Sequence, residues 1–204
     1  MTSEFTPEFW DERYAATHRV WSGLPNAQLV TQASALEPGS ALDVGCGEGA
    51  DAVWLASRGW QVTAMDVSQV ALDKAAEHGQ AAGVVVQWLQ RDLVGWASQG
   101  TQYDLVSAQF MYLPQPHLRD LYRALGRAVA PGGTLLLVGH HPMDPRHNHP
   151  ETGEPEFPDV RWTPEEAARW IASPAWARVQ VSTVERTGHL GLMHDAIVKA
   201  TKRG

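Results

Sequence analysis

Cysteine is almost missing. Cys46 is the only one in 204 residues, so no disulfide can form within the chain and its core must hold it together. The lack of disulfides fits a reducing compartment. No stretch approaches about 18 consecutive apolar residues, so no membrane-spanning helix is expected. The opening MTSEFTPEFWDERY carries acids early and lacks the apolar centre of a secretory signal. These absences together point to a cytoplasmic protein. Basic charge is scarce too. Sixteen Lys and Arg face 23 Asp and Glu, a net charge of -7, which argues against broad nucleic-acid binding because phosphate backbones need a basic footprint. Internal repeats and low-complexity tracts are absent as well.

Tryptophan is plentiful, with nine residues. Most are expected in the core, and some can line a pocket because an indole joins a flat apolar face to one donor. Apolar runs and turn signals alternate along the chain. Residues 4–20 read as a short amphipathic helix or two, and a helix over 26–36 ends at Pro38-Gly39. Short apolar runs at 40–44, 61–65, 84–89, 103–108 and 134–138 read as strands. Helical spacing separates them at 50–58, 68–79 and 116–129, and Pro131-Gly132-Gly133 reads as a sharp turn before the last strand. Continuous apolar strands separated by helices indicate a parallel sheet covered on both faces. Thr163-Pro164-Glu165-Glu166 is a helix start, and 179–186 and 194–200 read as a terminal hairpin around Gly188. The expected fold is a doubly wound, mostly parallel seven-stranded α/β sheet with a C-terminal antiparallel hairpin. One domain is expected: a helical cover (1–38), a core (39–139), then a loop, helix and hairpin (140–204).

The sharpest motif is Asp43-Val44-Gly45-Cys46-Gly47-Glu48-Gly49, which joins a strand to a helix. Its glycines allow a tight turn and close approach of a ligand to the backbone, and the helix start favours adenosine cofactors. Asp66 ends the next strand, where an acid can accept both ribose hydroxyl hydrogens. Asp92 follows the third strand, beside the expected adenine position. An acid at Asp43 is awkward near a pyrophosphate and suits a cofactor ending in an ammonium group. This favours S-adenosylmethionine over NAD. Cys46 counts with the cofactor loop and not as a nucleophile, since the turn needs only a small side chain there.

LDVGCGEG (42–49), AVWLASRGWQVTAMDVS (52–68), YDLVSAQF (103–110) and PGGTLLLV (131–138) resemble the class I S-adenosylmethionine-dependent methyltransferases, in particular the small tellurite-resistance-like branch. The resemblance implies cofactor contacts from Asp43, Gly45, Gly47 and Gly49, ribose binding by Asp66, and an adenine face at Val67. It implies adenine recognition by Asp92 with the backbone N–H of Leu93, and places Gln109 near the sulfonium. Trp10, Tyr14 and Trp21 would form a cover, with Arg13 reaching the cofactor carboxylate. Two departures stand out. Asp51 replaces an Asn common in the branch, and it either caps backbone donors or is solvated. The Asn-Pro-Pro-Tyr motif of amino-group methylases is missing.

Acceptor chemistry is less legible. Phe110, Met111 and Tyr112, with Trp21, can shape an apolar transfer region. His140, His141, His147 and His149 crowd the segment after the fifth strand. His140 and His141, nearest the strand end, are the candidates for a general base. The spacing matches no closed zinc site, and no metal is expected. A solvated loop is the plain alternative. The expected function is methyl transfer to a small acceptor such as a thiol, oxyanion, phenol or amine. A non-enzymatic cofactor-binding or RNA-associated protein, or an NAD-dependent reductase, are the competing readings.

Overall fold

A computed structural model describes residues 5–144, 160–188 and 191–204. The chain opens with α1 (Pro7–Ala15) and α2 (Ala27–Ala33). Thr6 caps α1 by accepting from the Phe9 N–H, and Asn26 caps α2 by accepting from Gln28. Then come β1 (Ser40–Val44), α3 (Ala50–Ser57), β2 (Gln61–Asp66), α4 (Gln69–Ala81), β3 (Val86–Gln90), β4 (Tyr103–Gln109), α5 (Gln115–Ala128) and β5 (Val129–His140). The described chain closes with α6 (Pro164–Trp170), β6 (Trp176–Gly188) and β7 (Gly191–Lys202). Ser68 caps α4 by accepting from the Ala71 N–H, and Thr163 with Glu166 forms a full capping box on α6.

All seven strands form one sheet in the order β3-β2-β1-β4-β5-β7-β6. The first five are parallel, and β7 runs antiparallel between β5 and β6. This is the doubly wound sheet with a terminal hairpin that the alternation of elements implied. The continuous apolar strands follow from burial on both faces. Leu42, Val44, Leu135 and Leu137 face α5, where Leu118, Tyr122 and Leu125 are fully buried. Their neighbours Ala41, Leu136 and Val138 face the other way, with Leu29 and Leu55. Trp162 lies in the first core, edge-on to Tyr122 at 5.7 Å, as expected of a core indole.

Some boundaries differ. The segment Pro131-Gly132-Gly133 does not precede β5 but lies inside it. Tyr103 pairs with Val129 and Leu105 with Thr134, so β5 spends three extra residues in a bulge. Gly132 takes φ 76° and donates its N–H to the Arg203 carbonyl, while a Cβ on Gly133 would sit 3.0 Å from three carbonyl oxygens. The terminal hairpin is longer than expected, because ladder bonds extend it beyond its apolar centre. The first segment holds one helix, and α2 stops at Ala33. His147 and His149 lie outside the described residues. No helix among the described residues is long and apolar enough to cross a membrane.

Candidate functional site

The carboxyl ends of the parallel strands open on a cavity of about 890 Å³, a size typical of small-molecule sites. Its floor is the loop after β1. Gly45 and Cys46 donate backbone N–H bonds to the Met65 carbonyl at 2.8 and 3.0 Å, tying the loop to β2. Gly45, Gly47 and Gly49 all take left-handed φ values of 69, 52 and 80°, which explains the three glycines. A Cβ on Gly45 would strike the Met111 sulfur, and one on Gly47 would come within 2.9 Å of the Tyr14 hydroxyl.

Acids surround this loop. Asp66 is buried, accepting from Gly47 N–H through Oδ2 at 2.8 Å and from Ser68 N–H through Oδ1 at 2.9 Å. Burial nonetheless pushes its carboxyl up. Asp43 lies beneath the loop at 2% exposure, and its Oδ2 has no partner. Burial, then the nearby Asp51 and Asp66, raise its carboxyl well above the usual range. Asp51 accepts from the Asn26 N–H at 2.6 Å, so of its two expected roles it takes the capping one; burial raises it to about 6. Asp92 lines the cavity and accepts from Val94 N–H at 2.9 Å. Burial and these neighbouring carboxylates push the Cys46 thiol up, leaving it a poor nucleophile.

The N-terminal segment covers the loop. Glu48 is the anchor, accepting from Val20 and Trp21 N–H at 3.0–3.1 Å. Lys74 of α4 bridges Glu48 at 3.4 Å and donates to the Tyr14 and Thr17 carbonyls. Asp11 of α1 accepts from Ser68 Oγ at 2.6 Å and from Val70 N–H at 3.3 Å. The Trp21 indole donates to the buried Tyr14 hydroxyl at 2.9 Å. Trp10 is 6.0 Å from the Tyr14 ring and 5.7 Å from that of Tyr112, which extends the cover across the cavity.

The far wall follows β4 and β5. Gln109 donates to Ser107 Oγ at 2.8 Å, and its Oε1 is buried without a partner. Phe110 takes φ 49°, uncommon for a bulky residue, while its N–H stays bonded to the Val138 carbonyl at 2.7 Å. Its ring is 4.8 Å from His140, whose Nδ1 is 3.3 Å from Asp144 Oδ2.

Most residues singled out from the sequence meet at this cavity. Trp10, Tyr14, Trp21, Gly45, Cys46 and Gly47 line it on one side; Asp66, Val67, Asp92, Leu93, Gln109 and His140 line it on the other. Four do not line it. Asp43 is buried below, and Gly49 packs near Ala75 and Trp88. The Arg13 guanidinium lies 5.9 and 5.7 Å from the Trp10 and Trp21 rings, on the exposed side of α1. His141 turns toward His194, with ring centroids 6.3 Å apart, and burial, then His194, lower its basicity. Sequence reasoning missed Glu48, whose partners are 27–28 residues away, and it missed Arg186 and Asp195 of the hairpin, which also line the cavity.

The sheet order, the reversed β7 and the glycine loop on β1 define the class I methyltransferase fold. Residues 41–133 match a family model described as a methyltransferase domain. Ubiquinone biosynthesis O-methyltransferase of Yersinia pestis (strain Pestoides F) is 35% identical over 97 residues, 47% of this chain and 40% of that protein. The chain therefore matches well under two thirds of that relative. A structure reported for conversion of a disulfide bond into a thioacetal group during echinomycin biosynthesis superposes with TM-score 0.73 at 23% identity, over 97% of this chain and 91% of that one. TehB from Haemophilus influenzae gives 0.69 at 18%, over 97% and 67%. A S-adenosylmethionine-dependent methyltransferase structure from Methanosarcina mazei gives 0.65 at 20%, over 88% and 99%. The fold is that of the class I S-adenosylmethionine-dependent methyltransferases, and the sequence likeness to a methyltransferase domain spans residues 41–133, a little under half of the chain.

Proposed function

We propose that the protein transfers a methyl group from S-adenosylmethionine to a small acceptor: a thiol, oxyanion, phenol or amine. One observation carries this reading. A single cavity runs from the acidic ends of β1–β3 to the aromatic residues and histidine at the ends of β4 and β5. That arrangement supplies a seat for a cationic nucleoside beside a seat for a nucleophile.

The donor set fits the cofactor. Gln109 Oε1, in the cavity wall, is a buried acceptor without a donor, and a ligand with ammonium and hydroxyl groups brings a donor to such a position. Each Asp66 oxygen spends one lone pair on the backbone. A carboxylate offers about four acceptor sites, so acceptor capacity remains for ribose hydroxyls. Val67, Asp92 and Leu93 would hold the adenine, and Trp10, Tyr14 and Trp21 would exclude water above it. When bound, the cofactor supplies an electrophilic methyl group. The protein's part is to align the acceptor and keep the cavity dry. With Asp144 at its Nδ1, His140 would take the acceptor's proton at Nε2. The likeness to TehB supports the tellurite-resistance-like branch as the place within the superfamily.

Calorimetry with S-adenosylhomocysteine and NAD tests the cofactor, and label transfer from methyl-labelled S-adenosylmethionine to a panel of thiols, phenols, amines and oxyanions tests turnover. We expect binding of S-adenosylhomocysteine, no comparable NAD binding, and labelled acceptor. Tight NAD binding without response to S-adenosylhomocysteine would overturn the reading.

A further inference from the structure

Charge around the cavity is uneven: most of its acids lie at one end, and Asp195 at the other is paired with an arginine. The ends of β3, β2 and β1 contribute Asp92, Asp66, Glu48 and Asp51. At the other edge of the sheet, β6 contributes Arg186, the only Lys or Arg among the described residues that line the cavity. The topology brings it there. Because β7 is antiparallel to both neighbours, the C-terminal end of β6 returns to the rim where β5 ends, with Asp195 paired to His140 on one side and to Val184 on the other.

Arg186 is held by one edge. Its Nε donates to Asp195 Oδ2 at 2.8 Å, and Asp195 is 1% exposed. Gln28 Nε2 reaches the same oxygen at 3.5 Å. The guanidinium carbon is 6.0 Å from the Phe110 ring centroid, and His140 meets that ring from its own side at 4.8 Å. An arginine has five N–H donors, and Nε makes the only hydrogen bond from this side chain among the described residues. Two terminal amino groups therefore remain, beside an aromatic wall.

We propose that Arg186 binds the carboxylate of an organic acceptor and holds its apolar body against Phe110, with the reacting atom beside His140. This rests on the methyltransferase reading and names the acceptor class for that site. The terminal edge of a guanidinium matches a planar carboxylate through two parallel N–H···O bonds. The rings of Phe110 and Tyr112 suit the apolar remainder of such a molecule. Asp195 is a positioning residue: it fixes the Nε edge and leaves the terminal edge to the ligand. The acids at the opposite end repel an anion, so the acceptor enters in one orientation.

Fluorine NMR with 4-fluorobenzoate and its neutral analogue 4-fluorobenzamide tests this, on the full chain saturated with S-adenosylhomocysteine. The benzoate should bind at least tenfold more tightly than the amide. Arg186→Met should weaken benzoate at least tenfold, and Arg186→Lys should fall between. Cofactor-product affinity by calorimetry should stay within twofold throughout. Because Arg186→Met strands the buried Asp195, the charge-neutral pair Arg186→Met with Asp195→Asn should show the same loss. Equal affinity for the two probes, no benzoate binding, or full benzoate affinity without Arg186 overturns the proposal. Displacement of benzoate by selenite at equal or lower concentration overturns it in favour of an inorganic oxyanion. Failure to bind S-adenosylhomocysteine would instead strike the methyltransferase reading, and benzoate selectivity measured without it still reports on Arg186.

Discussion

Burial pushes Asp51 up to about 6, against an ordinary value of 3.8, and the Asn26 N–H only partly offsets that cost. Between those two values the folded chain holds a proton that the unfolded chain has released. The Asp51 contribution to stability therefore falls as pH rises from about 4 to 6 and is flat beyond. Asp43 and Asp66 are raised by the same cause and act in the same direction. Asp51→Asn keeps an oxygen for the Asn26 N–H and removes the charge. It should stabilise the protein at pH 7 by about 1–3 kcal/mol and flatten the slope below pH 6, as read by thermal melts across pH. A cationic cofactor favours the ionised acids, so its affinity should weaken as pH falls below about 6. Calorimetry in buffers of different ionisation enthalpy should show proton release on binding. At the acceptor end, His140→Ala should lower kcat/KM about 10²–10⁴-fold if the imidazole takes the proton. His141→Ala should do less, because His141 lies off the cavity lining. Two adjacent histidines at a strand end were alike in the sequence. Successive strand residues point to opposite faces, and only the register of β5 against β7 decides which one meets the ligand.

The cover is the element most dependent on a few bonds. A nine-residue α1 is too short to be stable alone, so it rests on Glu48, Lys74 and Asp11. Glu48→Ala would leave the Val20 and Trp21 N–H groups without their acceptor. Amide exchange over residues 7–22 should then rise, and S-adenosylhomocysteine should dissociate faster. In the parent protein, cofactor should slow exchange over the same residues; identical exchange with and without it would reduce the segment to plain packing. The motif-bearing elements were legible because local chemistry fixes them. Three glycines with left-handed φ demand a turn between β1 and α3, and Ser68 and Thr163 mark helix starts. The bulge in β5 was not, because Pro131-Gly132-Gly133 serves a turn or a bulge equally well until β4 and the Arg203 carbonyl select one. Arg186 was hidden for a related reason. It sits in a polar edge strand that reads as solvated, and it reaches the cavity only through the antiparallel return of β6.

The whole molecule should respond to ligand as one cooperative unit if the cover, loop and sheet are coupled as their bonds suggest. S-adenosylhomocysteine at a hundred times its dissociation constant should add about 2.7 kcal/mol. For a chain of this size that is a rise in Tm of roughly 5–11 °C; the same concentration of NAD should give none. Leu135→Ala, in the core between the sheet and α5, should cost about 2–5 kcal/mol without changing which ligand is bound. The reversal of β7 also divides the sheet in two. The family model ends at residue 133, before His140, Arg186 and Asp195, so the likeness to it lies in the half of the sheet that carries the glycine loop. The half beyond β5 joins it through one antiparallel ladder, from Thr134 paired with Thr201 to His140 paired with Asp195. Changes in that hairpin should therefore alter the proposed acceptor end of the cavity while the glycine loop and its half of the sheet stay as they are.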